Sequence, residues 1–518
     1  MSEASAAERL EQMLAPFTAD KPGLATLVTV GGEIVFERYL GGADLEHGAA
    51  VSAATRFHVA SVSKQFTAFA ALLEARAGRL DLEADIHTYL PELADFGAKV
   101  MVSDLAHHIG GLRDQWDLMM LSGTPLDGLI KQGAIVAMAA RQTALNFPPG
   151  TDYRYSNTGY SLLAEIVRRT SGKPFAQYLD DAVFAPLGMR DTLVYGDASR
   201  LLADRAMSYR LDSDGTVRLA RLNYSNYGAT SLSTTPRDLA KWTHELLHPR
   251  VFPPDLIATM TAPGALRDGT PLNYGFGIIR DTIWGRPALT HGGGDAGYRA
   301  LCDSFPDEDA SVIVFSNGQA DVGAIGRGLA DAFLPPGAPE SEPVPPEKAT
   351  VEQLAGYYVS GWGPGLTLCV DDGKLMAIGV GPAIECKFLA NGDFYLFSST
   401  YAFTPRPDGS LAEAQGIGGA PVLHRPATRV EPSAVDLAAF AGRYRCDEID
   451  STYELATDGD GLTLSSLRFA PLKLTPADQD AFDGPWLRLS VQRDAARAVG
   501  GFKIATGRVR GLAFQKVD

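Results

Sequence analysis

A chain of 518 residues is too long for one ordinary core, and a composition of 45% hydrophobic and 21% charged residues is that of a globular protein of roughly two to four domains. The formal net charge of -16 argues against nucleic acid and against an anionic membrane surface as partners, since both are met by basic patches. No run approaches the ~20 apolar residues of a membrane-spanning helix. Cys302, Cys369, Cys386 and Cys446 lie far apart without a CxxC spacing, which disfavours a disulfide framework or a metal cluster and fits a reducing cytoplasm.

The chain begins MSEASAAERLEQMLAPF, acidic and without a basic n-region or an apolar h-region; it predicts a helix of the folded protein, not a signal peptide. Next comes HVASVSKQFTAFAALLEARAGRL, residues 58–80, apolar on most faces, with Gly78 placed to end the helix. Ser61 and Lys64 share one face of it. A desolvated lysine gives up its proton more easily and can activate a neighbouring hydroxyl. The positive end of the helix dipole would favour the alkoxide. The same two residues also fit a capping serine and a snorkelling lysine, and Ser-x-x-Lys arises by chance about once in a chain this long. Lys64 is nonetheless the one lysine here with a serine three residues before it.

NFPPGTDYRYSNTGYSLLAEIVRRTSG, residues 146–172, is a Pro/Gly loop running into an amphipathic helix with Tyr155, Ser156 and Asn157 at its start. A tyrosine beside an ammonium can have a lowered pKa and serve as base, and an asparagine can orient a lysine or a substrate amide. The tripeptide recurs at Tyr224, Ser225 and Asn226, but without a PPG turn or a following helix. KWTHELLHPR then offers His244, Glu245 and His248 in the helical zinc-peptidase spacing. Pro249 follows at once, no glutamate appears until Glu308, and His291 could complete the site as a third ligand. In LTHGGGDAGYRALCD a strand-like stretch ends at His291 and is followed by Gly292, Gly293 and Gly294; glycines let backbone N–H groups approach a substrate, as an oxyanion hole requires.

PPGAPESEPVPPEK, residues 335–348, has almost nothing to bury and reads as a linker. Beyond it the pattern changes to short alternating strands with turns. VEQLAGYYVS (351–360) and VDLAAFAGRYRCD (435–447) are alike, with Gly356 matching Gly442 and Tyr358 matching Tyr444, and each is followed by a strand pair around an Asp-Gly turn. One plan used twice predicts two antiparallel β domains, at 349–430 and 431–518, after a first unit at 1–334.

Taken together, Ser61-Val62-Ser63-Lys64, Tyr155-Ser156-Asn157 and His291-Gly292-Gly293 resemble the three-motif pattern of the serine β-lactamase-fold hydrolases, in the branch with Tyr-x-Asn and His-x-Gly. SDLAHHIGGL, FAPLGMRDT, SLSTTPRDLAKW and NYGFGI support the likeness, which covers about residues 10–333; the family usually has Ser where Gly110 stands. The two β domains make the layout similar to the D-stereospecific aminopeptidase branch of that family. The resemblance implies an α/β fold with an antiparallel sheet flanked by helices plus an all-α region, followed by two small antiparallel β-barrels. It implies acyl transfer through an ester on Ser61, with Lys64 and Tyr155 moving the proton, and the N–H groups of Ser61 and Gly294 holding the oxyanion. His291 and Asn157 would position the substrate, and Arg299 would bind a carboxylate or brace the site. By the same likeness a loop of the last domain, TPADQDAFDGPW, would offer Asp478, Asp480 or Asp483 to a substrate ammonium; each of the three also reads as part of a solvated acidic turn.

The expected protein is therefore a serine hydrolase releasing N-terminal D-amino acids from small peptides or amides. It is expected to work without cofactor or metal and without nucleic-acid or membrane partners, as a monomer or a homodimer. A carboxylesterase of the same fold, a zinc peptidase through His244, Glu245 and His248, and a binding or sensor protein without turnover are the competing readings.

Overall fold

The computed structural model describes residues 5–378, 383–396, 402–414 and 421–517. Its first unit is built on a seven-stranded antiparallel sheet. The strand order is Ile279–Ile283, Arg286–Thr290, Tyr298–Phe305, Ala310–Ser316, Leu24–Val30 and Glu33–Leu40, with the short Gly293–Asp295 strand paired to Tyr298–Phe305. Every residue of Ala310–Ser316 is buried, as expected of a strand covered on both faces. The period-2 alternation divides its side chains between two cores. Val312 and Val314, with Leu24 and Val28, pack against Leu10 and Leu14 of the N-terminal helix and Ile325 and Leu329 of the helix Val322–Phe333. Ile313 and Phe315, with Ala25 and Leu27, face the opposite core, which holds the helix Ser63–Arg76. That helix buries Phe66, Phe69 and Leu72 around its circumference and packs beside the helix Asn157–Ser171. The N-terminal helix carries a reciprocal Ser5–Glu8 capping box.

After the linker come two β units. In the first, a nine-stranded sheet runs from Gly356–Val359 to Val422–Ala427. Its end strands, Ile384–Glu385 and Lys387–Phe388, are separated only by Cys386, so the sheet curls into a nearly closed barrel. The second is a closed eight-stranded barrel from Gly442–Cys446 to Leu512–Lys516. The internal likeness has a structural counterpart. Tyr358 donates to the carbonyl of Leu354 at 3.0 Å and Tyr444 to that of Phe440 at 2.7 Å, each tying the first strand to the helical turn before it.

The two β units differ in attachment. The first keeps its own core around Tyr358, Leu368, Phe388, Phe394 and Phe403. The closed barrel shares one contiguous apolar cluster with the first unit, reaching Tyr444, Tyr453, Phe502 and Phe514. Arg113, almost fully buried, pairs with Glu448 across this contact at 2.6 Å, and Tyr453 donates to the Leu121 carbonyl. A chain ended after residue 430 is therefore expected to expose part of this core and to be recovered mainly as aggregate. Light scattering and thermal melting check this; a soluble monomer with cooperative melting would contradict it.

Candidate active site

Ser61 lies in the 3-10 turn Ala60–Val62, which leads directly into the helix Ser63–Arg76 that carries Lys64. Ala60 has φ 46°, a left-handed conformation that costs an L-residue about 1–2 kcal/mol. Ser63 secures it: its hydroxyl donates to the Ala60 carbonyl at 2.5 Å and accepts the Leu232 N–H at 3.0 Å. Strain of this kind is kept where the surroundings fix it, and here it aims the residue that follows.

Lys64 is fully buried, with its amine 3.0 Å from Ser61 Oγ, 2.8 Å from Asn157 Oδ1 and 2.8 Å from the Ala229 carbonyl. The latter two partners only accept. A neutral amine has two N–H bonds and one lone pair, so it satisfies both acceptors and keeps the lone pair for the Ser61 hydroxyl. Burial pushes its pKa down to about 7, while the carboxylates of Asp295 and Asp114 act the other way.

Asn157 is held by Asp114. The Asp114 carboxylate accepts the Asn157 backbone N–H at 2.6 Å and its Nδ2 at 2.8 Å, which leaves Oδ1 turned to the lysine. Asp114 also caps the helix Gln115–Ser122 through the Trp116 N–H. The sequence reading passed over it; an aspartate just before the apolar run QWDLMML is the N-cap signal that marks it.

Tyr155 stands over the pair, with the Lys64 amine 4.8 Å and the Arg508 guanidinium carbon 5.1 Å from its ring centroid. Burial raises the phenol above its ordinary pKa, opposed by a hydrogen bond with the Ser61 side chain and by the charge of Arg508. This reverses the direction expected from an adjacent ammonium: in a dry site the amine is the group that sheds its proton, and the phenol stays neutral.

His291 is buried and neutral, its pKa pushed down to about 3 chiefly by burial. Nδ1 lies 2.7 Å from the Gly292 carbonyl, which can only accept, so Nδ1 carries the proton and Nε2 accepts from the Tyr274 hydroxyl at 2.9 Å. The imidazole thus lines the site as a fixed polar surface and not as a charge. Gly293 packs on the backbone of the turn that carries Ser61; a Cβ there would meet the Val59 carbonyl at 2.2 Å and Ser61 N at 3.1 Å. Only glycine lets this strand come so close; the next residue, Gly294, lines the same cavity as Ser61. Arg299 spends Nη1 on the carbonyls of Ala296 and Tyr298 at 3.0 and 2.7 Å, so it braces the hairpin.

A cavity of about 500 Å³ opens over these groups, lined by Ser61, Tyr155, His291, Asp295, Glu413 and Arg508 among others. The closed barrel does reach it, but not through 475–486. Asp483 is buried against Tyr357 (2.5 Å) and Arg488 (3.1 Å), Asp480 pairs with Arg493 at 2.7 Å, and Asp478 caps the Gln479 N–H. None of the three lines the cavity. The segment that enters is the turn between the last two strands, with Gly507 and Arg508. Asp117 accepts the Arg508 N–H at 3.0 Å, and Asn146 receives Arg510 N–H at 2.7 Å while donating to the Arg508 carbonyl at 3.0 Å. The family likeness assigned a ligand role to 475–486, but its carboxylates are used within the β units.

The zinc-like trio has other partners. Glu245 accepts the backbone N–H groups of Arg250, Val251 and Phe252, closing the turn after its helix, and His248 contacts Asp309 at 2.5 Å. No group of three His, Cys, Asp or Glu residues suited to a metal ion occurs among the described residues. In the second Tyr-Ser-Asn copy, Tyr224 stacks on Trp116 with centroids 4.9 Å apart, and Asn226 donates to the Ile130 carbonyl, so this copy is structural support.

A helix-flanked antiparallel sheet with a serine and a buried lysine on one turn defines a β-lactamase-fold serine hydrolase. The Beta-lactamase family model matches residues 10–333, and the chain belongs to that family. Proteins named D-aminopeptidase are similar over most of the length. That of Gluconobacter oxydans (strain 621H) is 28% identical over 84% of this chain and 82% of its own. That of Brucella melitensis biotype 1 is 28% identical over 96% of each chain. Among solved structures, the octameric penicillin-binding protein homologue from Pyrococcus abyssi superposes with a TM-score of 0.58 at 18% identity, covering 90% of this chain and 99% of its own; at that identity the likeness is one of fold. Among the described residues no helix is long and apolar enough to cross a membrane.

Proposed function

We propose that this protein releases N-terminal D-amino acids from short peptides or amides through an acyl-enzyme on Ser61. The observation that carries the mechanism is the fully buried Lys64 amine 3.0 Å from Ser61 Oγ, where burial pushes its pKa down to about 7. Lys64 takes the Ser61 proton as Oγ bonds to the acyl carbon, and the N–H groups of Ser61 and Gly294 hold the oxyanion. The proton passes by way of the Tyr155 hydroxyl to the departing amine as the C–N bond breaks. Water then attacks the ester, returning the acid product and the Ser61 hydroxyl. The substrate class is supported by the near full-length similarity to proteins named D-aminopeptidase and by the polar, charge-lined cavity.

The test is a panel of D- and L-alaninamide, N-acetyl-D-alaninamide and a short p-nitrophenyl ester. Cleavage of D-alaninamide at least tenfold faster than of the L form and the N-acetyl form is the expected result. Hydrolysis of the ester alone would turn the reading to a carboxylesterase.

A further inference from the structure

The cavity has two electrostatic ends. Around Tyr155 stand two cations: Arg508, over its ring, and Arg154, its chain neighbour, which stacks 3.9 Å over Trp362 of the nearly closed barrel. On the Gly293–Asp295 strand stands a carboxylate, Asp295. Its Oδ2 is fixed from two sides, by His58 Nε2 at 3.0 Å and by the Thr230 hydroxyl. Among the described residues no lysine or arginine is paired with it. The side chain is 14% exposed and lines both this cavity and the adjoining one of about 780 Å³. Among the described residues the other carboxylate that lines the cavity is Glu413; it too contacts a histidine, His424, at 2.6 Å, but it is carried by the first β unit and not by the strand that packs on the Ser61 turn.

Asp295 also neighbours the reacting centre through both of its attachments. It follows Gly294 in the chain, and its hydroxyl partner Thr230 follows Ala229, whose carbonyl holds the Lys64 amine. In an α-amino acyl group the amine is one carbon from the carbonyl that Ser61 attacks. A receptor for that amine must therefore stand beside the nucleophile and the oxyanion site. Cations at the Tyr155 end repel an ammonium and a held carboxylate at the other end accepts it.

We propose that Asp295 is the receptor for the free α-ammonium group of the substrate, so that selection for an unblocked amine is made inside the catalytic unit and not by an acidic loop of the terminal barrel. This rests on the reading of Ser61 as an acylating nucleophile, and the assay keeps the two apart. Hydrolysis of p-nitrophenyl acetate, which has no amine, reports the nucleophile. Inhibition of that hydrolysis by D-alaninamide and by propionamide, the same molecule without its amine, reports the receptor whether or not the amide is turned over. In the wild type D-alaninamide is expected to inhibit at a concentration tenfold or more below propionamide. In Asp295→Asn and Asp295→Ala the two inhibition constants are expected to agree within about twofold, and Asp295→Glu is expected to restore part of the difference. The ratio within each variant cancels any general loss of activity. A wild-type ratio near one, or a ratio that survives both substitutions, would overturn the proposal. Ester hydrolysis that does not depend on Ser61 would instead overturn the nucleophile reading.

Discussion

Ser61→Ala is expected to lose about 10⁵-fold or more in kcat on every substrate the enzyme accepts, while folding normally. Removing a nucleophile from such a constellation costs on the order of 10⁶-fold in the best-studied serine hydrolases, and what survives is the contribution of the oxyanion donors and of binding. The fold should tolerate the change, because the turn around residue 61 is held by Ser63 and by the packing of Gly293, not by the Ser61 hydroxyl. The alanine variant should therefore melt within a few degrees of the wild type. A second readout distinguishes lost chemistry from lost binding. Quenched with a slowly hydrolysed p-nitrophenyl ester, the wild type should gain the mass of one acyl group on the peptide that contains residue 61, and the variant should gain none. Retention of most of the turnover, or an acyl group found elsewhere, would remove Ser61 from its place in the mechanism.

The sequence was most informative where chemistry and chain order coincide. Ser61 and Lys64 share a turn, so their spacing alone brings them together; Tyr155, Asn157 and His291 come from distant segments, and only the resemblance to a known motif order joined them to the pair. The direction of the Tyr155 shift was not legible, because it depends on how deeply the ring is buried, a property of the finished fold. Asp295 was passed over although it directly follows the glycines, since nothing in GGGD tells whether the carboxylate meets solvent or a held position between His58 and Thr230. The terminal loop was misplaced for a similar reason. The family likeness pointed to the three aspartates of 475–486, while Gly507 and Arg508 sit in a short turn with no compositional mark. Which turn of a closed barrel reaches its neighbour follows from docking, here of Arg113 on Glu448 and of Asn146 on the Arg508 backbone. The two β units were legible as a repeat because Gly356 and Tyr358 recur as Gly442 and Tyr444 for a local reason, the tyrosine bond back to the preceding turn.

Lys64→Met is expected to lower kcat/KM by about 10³–10⁴-fold, the upper range for removal of a positioned general base. The pH dependence should identify the reason. The reactive form is the neutral amine, and burial holds the Lys64 pKa at about 7. In the wild type, with an ester that carries no amine, kcat/KM should therefore fall as pH drops below 7, by close to tenfold per unit, and level off above it. The residual activity of the methionine variant should lack this limb. Stability supplies an independent check with a defined sign. In the unfolded chain the amine titrates near 10.5, and in the folded protein near 7. Between those values the unfolded state binds more protons, so this group makes the native state more stable as pH rises from 7 toward 10.5. Below about 7 both states are protonated and the slope from this group vanishes. Denaturant midpoints at pH 7.5 and 9.5 should then rise less with pH in the methionine variant than in the wild type, since all other titrating groups are common to both. A variant that keeps the acid limb, together with an unchanged pH slope of stability, would mean that Lys64 is protonated throughout and that the base is another group.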